Sequence, residues 1–308
     1  MVAPVDSFDA ALRQFQNGHL ADAQQRLSDL VQSEPQRAEA WHLLGVIEFQ
    51  KSNFADAVKL FRRAVQIDDH SAKYLTSLGS AWHALDETRE AIGCFECAIA
   101  ADPHCAESQT YLGIIRLQQG ELDAAEACFQ AALLDAPQSW QARLNLGNVF
   151  RERRQLDEAA EQYELALSIE PDCVEALLNL GELFVEQGQP ADAVPHLRRA
   201  AAFRPRVAVI KFRLADALRE IGNHAEAVSA YQRALSFQAS SFDGWLNLGQ
   251  SSAALEHWSD AVASFRNAVS LQPNSAAAHT HLGEALRQSG NADEAARHLA
   301  VANVLEMQ

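Results

Sequence analysis

The stretch LNLGNVFRERRQLDEAAEQYELALSIEP, residues 144–171, indicates a repeat fold, because closely similar stretches return every 34 residues. One fixed place holds alanine nine times in succession: Ala23, Ala57, Ala91, Ala125, Ala159, Ala193, Ala227, Ala261 and Ala295. Four residues later stands a large residue: Leu27, Phe61, Phe95, Phe129, Tyr163, Leu197, Tyr231, Phe265 and Leu299. No insertion or deletion shifts the frame, so nine successive repeats with this period account for nearly all of the 308 residues.

Each repeat is predicted to form a pair of helices. With positions counted from 1 to 34 and the first repeat starting at residue 4, positions 4, 7, 8 and 11 form one amphipathic stripe, and positions 20, 24 and 27 form a second. Turn-forming glycines separate the stripes in five repeats, and a proline at position 32 follows the second stripe in six. Glycine or alanine at position 8 and alanine at 20 and 27 leave room for the large residue at 24. The predicted repeats span residues 4–37, 38–71, 72–105, 106–139, 140–173, 174–207, 208–241, 242–275 and 276–308.

The repeat resembles the tetratricopeptide repeat. The resemblance rests on the period, on W-x-x-L-G at Trp41 to Gly45 with its relative at Trp245 to Gly249, on the alanine and large residue of the second helix, and on the terminal proline. It implies an all-α fold, a right-handed solenoid of nine helix-turn-helix units forming a single domain over residues 1–308. It also implies a non-catalytic scaffold that binds a partner protein or peptide.

Composition narrows the class of partner and the compartment. The formal net charge of −16 repels phosphates, so we expect no nucleic-acid partner. The N-terminus lacks the charged start and apolar run of a signal peptide, and no apolar stretch is long enough to span a bilayer, so we expect no membrane insertion. Five cysteines, an odd number, suit a reducing compartment. We therefore expect a cytoplasmic protein.

Candidates for metal binding or catalysis are weak, and we expect no cofactor, no metal and no enzymatic activity. Cys94 and Cys97 resemble a C-x-x-C pair followed by His104 and Cys105, but they fall within a predicted helix rather than a turn. In the segment of residues 279–281, His279 occupies a helix-stripe position, which favours a core or rim histidine over a metal ligand shared with His281 and Glu284. Phosphate loops, H-E-x-x-H and G-x-S-x-G motifs are missing from the sequence.

The family resemblance implies that first helices line a concave groove through positions 2, 5, 6, 9, 12 and 13. In repeats 1 to 4 these positions are apolar, with Phe8, Leu12, Phe15, Val46, Phe49, Tyr111 and Ile114 as the candidate binding residues. In repeats 5 to 9 they are polar, with Asn145, Asn148, Arg151, Asn179, Glu182, Arg213, Asp216, Arg219, Asn247 and Gln250 as candidates, and with His281, Glu284 and Arg287 beyond them.

Asparagine recurs at position 6 in Asn145, Asn179 and Asn247, each within L-N-L-G. An amide repeated at one height can bind the backbone of an extended peptide through its donor and its acceptor. The pattern resembles the asparagine ladder in the repeat domain of O-GlcNAc transferase, although Arg213 interrupts it. The alternative is that these amides only solvate a polar face.

Three of the same residue positions also resemble the carboxylate clamp of chaperone-binding repeats. Asn148, Asn179 and Arg213 match that clamp, but Leu144 and Val209 stand where it has lysines. Acidic residues nearby would repel an acidic tail, which disfavours a true clamp.

Three functions follow as hypotheses: a scaffold for an extended peptide or helix, the recognition region of a larger O-GlcNAc-transferase-like enzyme, and a self-assembling structural protein. Self-association is expected either through the apolar N-terminal groove or through the C-terminal end. There Val301, Val304, Leu305 and Met307 follow the last stripe. A frayed last helix is the alternative for that end.

Overall fold

The computed structural model describes residues 7–307, and the regular structure within them is entirely helical. Eighteen α-helices follow one another in this range: α1 (Ser7–Gln16), α2 (Leu20–Ser33), α3 (Ala38–Gln50), α4 (Phe54–Ile67), α5 (Ala72–Ala84), α6 (Thr88–Ala101), α7 (Ala106–Gln118), α8 (Leu122–Asp135), α9 (Trp140–Glu152), α10 (Leu156–Ile169), α11 (Val174–Glu186), α12 (Pro190–Phe203), α13 (Ala208–Glu220), α14 (His224–Leu235), α15 (Phe242–Ala254), α16 (Trp258–Leu271), α17 (Ala276–Gln288) and α18 (Ala292–Glu306). Each predicted repeat therefore contributes two helices, and the all-α helix-turn-helix prediction is confirmed.

The helices fall into two compact units. The first unit ends at Arg153, so that it holds α1 to α9, and the second begins at Arg154 and holds α10 to α18. Within each unit a helix packs against the helices before and after it in the chain, with α3 against α4 and α17 against α18 among the most extensive contacts. A single continuous superhelix over residues 1–308 stays a prediction.

The glycine at position 8 lies directly against the large residue at position 24, as the alternation of small and large residues predicts. A Cβ atom added to Gly45 would lie 2.5 Å from the ring of Phe61, and one added to Gly249 would lie 2.5 Å from the ring of Phe265. Contacts that short require the ring to move, so at these two positions the absence of a side chain allows the close approach of the two helices. The alanines at position 20 are all 2% exposed or less, which closes the core around each ring.

The turn between the two helices of a repeat has a left-handed residue at position 15 in all nine repeats. Glycine supplies it in five repeats, with φ between 75° and 88°. In the other four repeats Ser52, Asp86, Arg154 and Glu256 adopt φ between 59° and 63°. The sequence indicated this turn only where glycine stands, because nothing in a serine or glutamate predicts a backbone conformation that costs a non-glycine residue about 1–2 kcal/mol.

First helices of successive repeats contact one another within each unit. In the first unit α3 contacts α5, α5 contacts α7 and α7 contacts α9; in the second, α11 contacts α13, α13 contacts α15 and α15 contacts α17. Second helices of successive repeats make no comparable contact in the described residues. The first helices therefore line the inner face of each unit, and the second helices line its outer face.

Candidate functional site

The inner face of the first unit holds a cavity of about 150 Å³ between α3, α5 and α7, with a wall that is partly apolar and partly polar. Its lining includes three predicted groove residues, Val46, Phe49 and Tyr111, together with Phe61, Ser77, Ser80 and Glu107. The apolar part of the wall consists of Val46, Phe49, Phe61 and Tyr111. The two serines supply hydroxyl groups that can donate or accept hydrogen bonds. The cavity can therefore take an apolar side chain whose neighbouring backbone remains polar.

Aromatic contacts hold the walls of this cavity in place. The ring of Tyr111 stacks on Phe95 with centroids 5.2 Å apart, and the ring of Phe49 meets Phe54 edge-on at 5.1 Å. Such pairs fix ring orientation as well as burying area. Both predicted aromatic residues are therefore anchored before any ligand arrives.

A buried histidine lies behind the same cavity. The Nε2 atom of His42 is 2.9 Å from the hydroxyl of Ser77, and its ring lies 5.4 Å from that of Phe61. Burial, with a smaller contribution from Lys73, lowers the pKa of His42 to about 4. The imidazole is therefore neutral at physiological pH and acts as a hydrogen-bonded wall residue.

The other predicted apolar groove residues lie away from the cavity. Phe8, Leu12 and Phe15 pack on the hydrophobic cluster of the first two repeats, and the guanidinium of Arg37 lies 5.2 Å from the centre of the Phe8 ring. Ile114 packs on the cluster that contains Phe129. All four are half-buried, so they extend the inner face but do not line its cavity.

The inner face of the second unit carries a periodic set of polar contacts. In three successive repeat junctions, the residue at position 9 bonds the residue at position 6 of the next repeat, 31 residues later. The pairs are Arg213 Nε donating to Glu182 at 2.9 Å, Asn247 Nδ2 donating to Asp216 at 3.0 Å, and Gln250 Nε2 with His281 Nε2 at 3.1 Å. We call these three pairs the polar ladder. Its members were predicted as groove residues, but their pairing was not.

Asp216 is the best connected member of the polar ladder. It accepts hydrogen bonds from the amide of Asn247 and from the hydroxyl of Tyr231, whose side chain is fully buried. Burial and then the charge of Asp216 raise the pKa of Tyr231, while Arg219 partly offsets the effect. Arg219 is half-buried on α13, and its Nε atom has no hydrogen-bond partner within residues 7–307. The carboxylate of Asp216 thus orients two groups on the inner face.

The predicted asparagine ladder is only partly available to a ligand. Asn145 on α9 donates to the carbonyl of Gln141 in its own helix at 2.8 Å, and Asn247 donates to Asp216. Each side-chain oxygen of these two residues accepts no hydrogen bond within residues 7–307, so the acceptor stays available. Asn148, Arg151 and Asn179 are half-buried on α9 and α11. Recognition of a peptide by this ladder stays a prediction.

A second cavity of about 330 Å³ lies on the inner face of the second unit, between α15, α16 and α17. It is lined by the predicted residues Gln250, His281, Glu284 and Arg287 and also by Ala253, Trp258, Phe265, Ala285 and Gln288. The ring of His281 stacks on Phe265 with centroids 5.4 Å apart and planes 17° apart. Sequence reasoning missed Trp258 and Phe265, because it assigned the second helix wholly to the core.

The histidines considered as metal ligands contact different residues, and the cysteines considered with them differ in exposure. Cys94 is half-buried with a pKa raised to about 11 by burial, Cys97 is exposed, and His104 bonds Asp135 at 2.6 Å. His279 contacts the carbonyl of Pro273, whereas His281 contacts Gln250. In the described residues no three His, Cys, Asp or Glu side chains form a group suited to a metal ion.

Comparisons with known proteins agree on one architecture. The family model described as tetratricopeptide repeat matches residues 8–72, 84–127, 112–173, 165–208, 178–243 and 246–303. No curated protein matches the chain.

Solved structures give similar matches. MamA is 26% identical, with a TM-score of 0.51 over 53% of this chain and 95% of that chain. YrrB, described as a TPR protein with an unusual peptide-binding site, is 24% identical, with a TM-score of 0.57 over 60% of this chain and 95% of that one. Pseudomonas aeruginosa pilF is 18% identical, with a TM-score of 0.59 over 70% of this chain and 98% of that one. Identities this low show the fold alone for the last two.

The described helices also bear on membrane insertion, since none in residues 7–307 combines the length and the apolar character needed to cross a bilayer.

The family model covers most of the sequence, and the helix pairs, the glycine contacts and the turns repeat in the same phase. The chain therefore belongs to the tetratricopeptide repeat family.

Proposed function

We propose that this protein is a non-catalytic interaction scaffold that binds an extended segment of a partner protein on the inner face of its units. One observation carries the proposal: each unit has a cavity on that face, beside a position-24 phenylalanine and lined by first-helix side chains. Concave, mostly apolar cavities with a few polar groups are typical of sites that bind peptides and small ligands.

The inner faces of the two units favour different chemical groups. The partly apolar cavity of the first unit suits an aliphatic or aromatic side chain, whereas the polar ladder of the second unit offers amide groups suited to a peptide backbone. Arg213 is already paired with Glu182, so its charge is compensated. The second unit therefore favours a neutral segment over the acidic tail that a carboxylate clamp would bind.

Self-association through the C-terminal helix is a second candidate function. Val301, Val304 and Met307 on and after α18 are 41%, 51% and 80% exposed. Apolar side chains in one place are a common feature of protein interaction sites. Val304→Glu with Leu305→Lys would then lower the molar mass of the protein in solution, measured by light scattering, and an unchanged monomer mass before and after would rule this out.

Groove binding is tested with a peptide selected by random display against the whole chain. The dissociation constant is measured by fluorescence anisotropy for the wild type, for Val46→Glu, for Gln250→Ala with His281→Ala, and for the outer-face control Lys59→Ala. Val46→Glu replaces part of the apolar wall with a carboxylate and puts a second negative charge in the cavity that Glu107 already lines, so it is expected to weaken binding about tenfold or more. Unchanged affinity in both inner-face variants, with helix content intact, would contradict the proposal.

A further inference from the structure

A third cavity lies on the outer face of the second unit, away from the proposed peptide site. It has a volume of about 420 Å³ and opens between the second helices α12 and α14, over the first helix α13. Ala201, Ala202, Leu214, Leu218 and Ala230 give it apolar walls. This volume lies within the range of about 300–1,000 Å³ that is usual for ligand pockets. We call it the outer cleft.

Positive charge is concentrated in the outer cleft, although the chain as a whole carries a net charge of −16. Lys211, Arg198 and Arg233 line the cleft, against one carboxylate, that of Glu226. Arg198 is paired with that carboxylate, and Asn223 and Arg198 hold the pKa of Glu226 below its usual range. Lys211 and Arg233 are therefore the two cations available to a ligand.

Lys211 is the unusual member of this group. The residue is only 8% exposed, yet its ammonium has no hydrogen-bond or ion-pair partner within residues 7–307. Burial, and then the charge of Arg233, lower the pKa of Lys211. The buried part of Lys211 is mainly its aliphatic stem, and the ammonium reaches the open cleft without a compensating charge. Lysine is rarely buried to this degree unless it is paired.

The residues equivalent to Lys211 in other repeats bond the preceding loop, whereas Lys211 does not. Lys211 stands at position 4, where side chains of four other repeats bond the carbonyl group six residues earlier: Trp41 to Pro35, Arg143 to Pro137, Trp245 to Ala239 and His279 to Pro273. Those bonds fasten the loop between repeats. Lys211 makes no such bond to the loop before α13 and instead lines the outer cleft.

We infer that the outer cleft binds a carboxylate carried on a small apolar body, with Lys211 and Arg233 contacting the carboxylate and the alanine and leucine walls contacting the apolar part. A single negative charge fits better than a phosphate dianion, because the ionised Glu226 shares the cleft and would repel the second charge. The C-terminal residue of a peptide and a fatty acid both offer this chemistry. Charge-assisted contacts to an ammonium and a guanidinium are among the strong hydrogen bonds of proteins.

The direct test follows the side chain of Lys211 itself. The chain contains four lysines, Lys51, Lys59, Lys73 and Lys211, so protein labelled with ¹³C in lysine gives four Cε signals that single substitutions assign. The whole chain is titrated with N-acetyl-leucine, octanoate, inorganic phosphate and, as the neutral control, N-acetyl-leucine amide. We expect the Lys211 signal to shift and saturate with one or both carboxylates, and the amide to leave it in place.

Affinity for the better carboxylate is then measured by saturation-transfer NMR in Arg233→Met, Lys211→Met and the control Lys59→Met. We expect a loss of about tenfold or more in the first two and no change in the control. Tm of Lys211→Met is expected to stay about equal, because methionine keeps the apolar stem and removes an ammonium that makes no hydrogen bond or ion pair. Tighter binding of N-acetyl-leucine would identify a peptide C-terminus as the source, and tighter binding of octanoate a fatty acid. A Lys211 signal that responds to no carboxylate, or to phosphate or the amide equally well, would overturn the inference.

Discussion

The inner-face cavities of the two units occupy the same place in the repeat, six repeats apart. Adding 204 residues, six periods of 34, converts the lining of one into the lining of the other: Val46 into Gln250, Phe49 into Ala253, Phe61 into Phe265, Ser77 into His281 and Ser80 into Glu284. The ring at position 24 is the same in both, whereas every other lining residue of this set has changed. The repeat therefore fixes where a cavity forms, and the exposed first-helix residues decide what it can hold.

The largest expected effect tests whether the shared ring is equivalent in the two units. Phe61→Ala and Phe265→Ala each leave a void beneath a glycine and are expected to destabilise the protein by about 3–5 kcal/mol. Urea unfolding gives the free energy, and amide hydrogen exchange gives its location. Since repeats contact only their neighbours, exchange is expected to rise first in the repeats around the substitution. An equal rise along the whole chain would break the comparison.

The next largest effect is a pH dependence of stability that we expect from His42 in the first unit. His42 has a pKa lowered from 6.5 to about 4, so the folded protein resists a proton that the unfolded chain accepts. Its stabilising contribution is complete above pH 6.5 and is lost as the pH falls towards 4, by about 3 kcal/mol in total. The position equivalent to His42 in the second unit is Leu246, which does not titrate.

The measurement compares the free energy of unfolding of the wild type and of His42→Leu at pH 7, 5.5 and 4. The difference between the two proteins is expected to move in favour of the variant as the pH falls. A difference that does not depend on pH in this window would show that the environment of His42 was misjudged.

A smaller effect probes the second unit. Asp216→Ala removes the acceptor for the buried hydroxyl of Tyr231 and for the amide of Asn247, and is expected to cost about 1–3 kcal/mol. Tyr231→Phe is the matched control, because it removes the hydroxyl instead and should cost less. Thermal unfolding of both variants decides between them, and an equal or larger cost for Tyr231→Phe would contradict the role given to Asp216.

The sequence predicted the helix pairs and the core well, because the 34-residue period places every stripe, glycine and alanine in phase. It predicted the inner face by position, and Val46, Tyr111 and Gln250 do line cavities there. It missed Trp258 and the pairing of Asp216 with Asn247, because contacts between repeats depend on helix rotation and side-chain rotamers that a single-repeat pattern does not contain. It also missed Lys211, although a lysine at stripe position 4, where other repeats have residues such as Trp41 and Leu177, is a departure that the sequence shows.

The smallest expected effect concerns ligand binding by single amides. Asn247→Ala and Asn179→Ala each remove hydrogen-bonding capacity worth about 0.5–1.5 kcal/mol, so each should weaken the selected peptide several-fold without changing helix content. Asn145→Ala is expected to have a similar effect, because its side-chain oxygen, like that of Asn247, remains available as an acceptor. Anisotropy titrations of the three variants rank them, and an unchanged affinity in all three would remove the asparagine ladder from the account.

Photo-crosslinking shows directly which face of the protein the bound peptide contacts. The photoreactive residue p-benzoylphenylalanine is introduced at Phe49 or Ala253 on the inner face, or at the exposed second-helix positions Lys59 or Ala263, and the protein is irradiated with the selected peptide. The account predicts crosslinks from one or both inner-face positions and none above background from the outer ones. Efficient crosslinks from the outer positions, with none from Phe49 or Ala253, would contradict it.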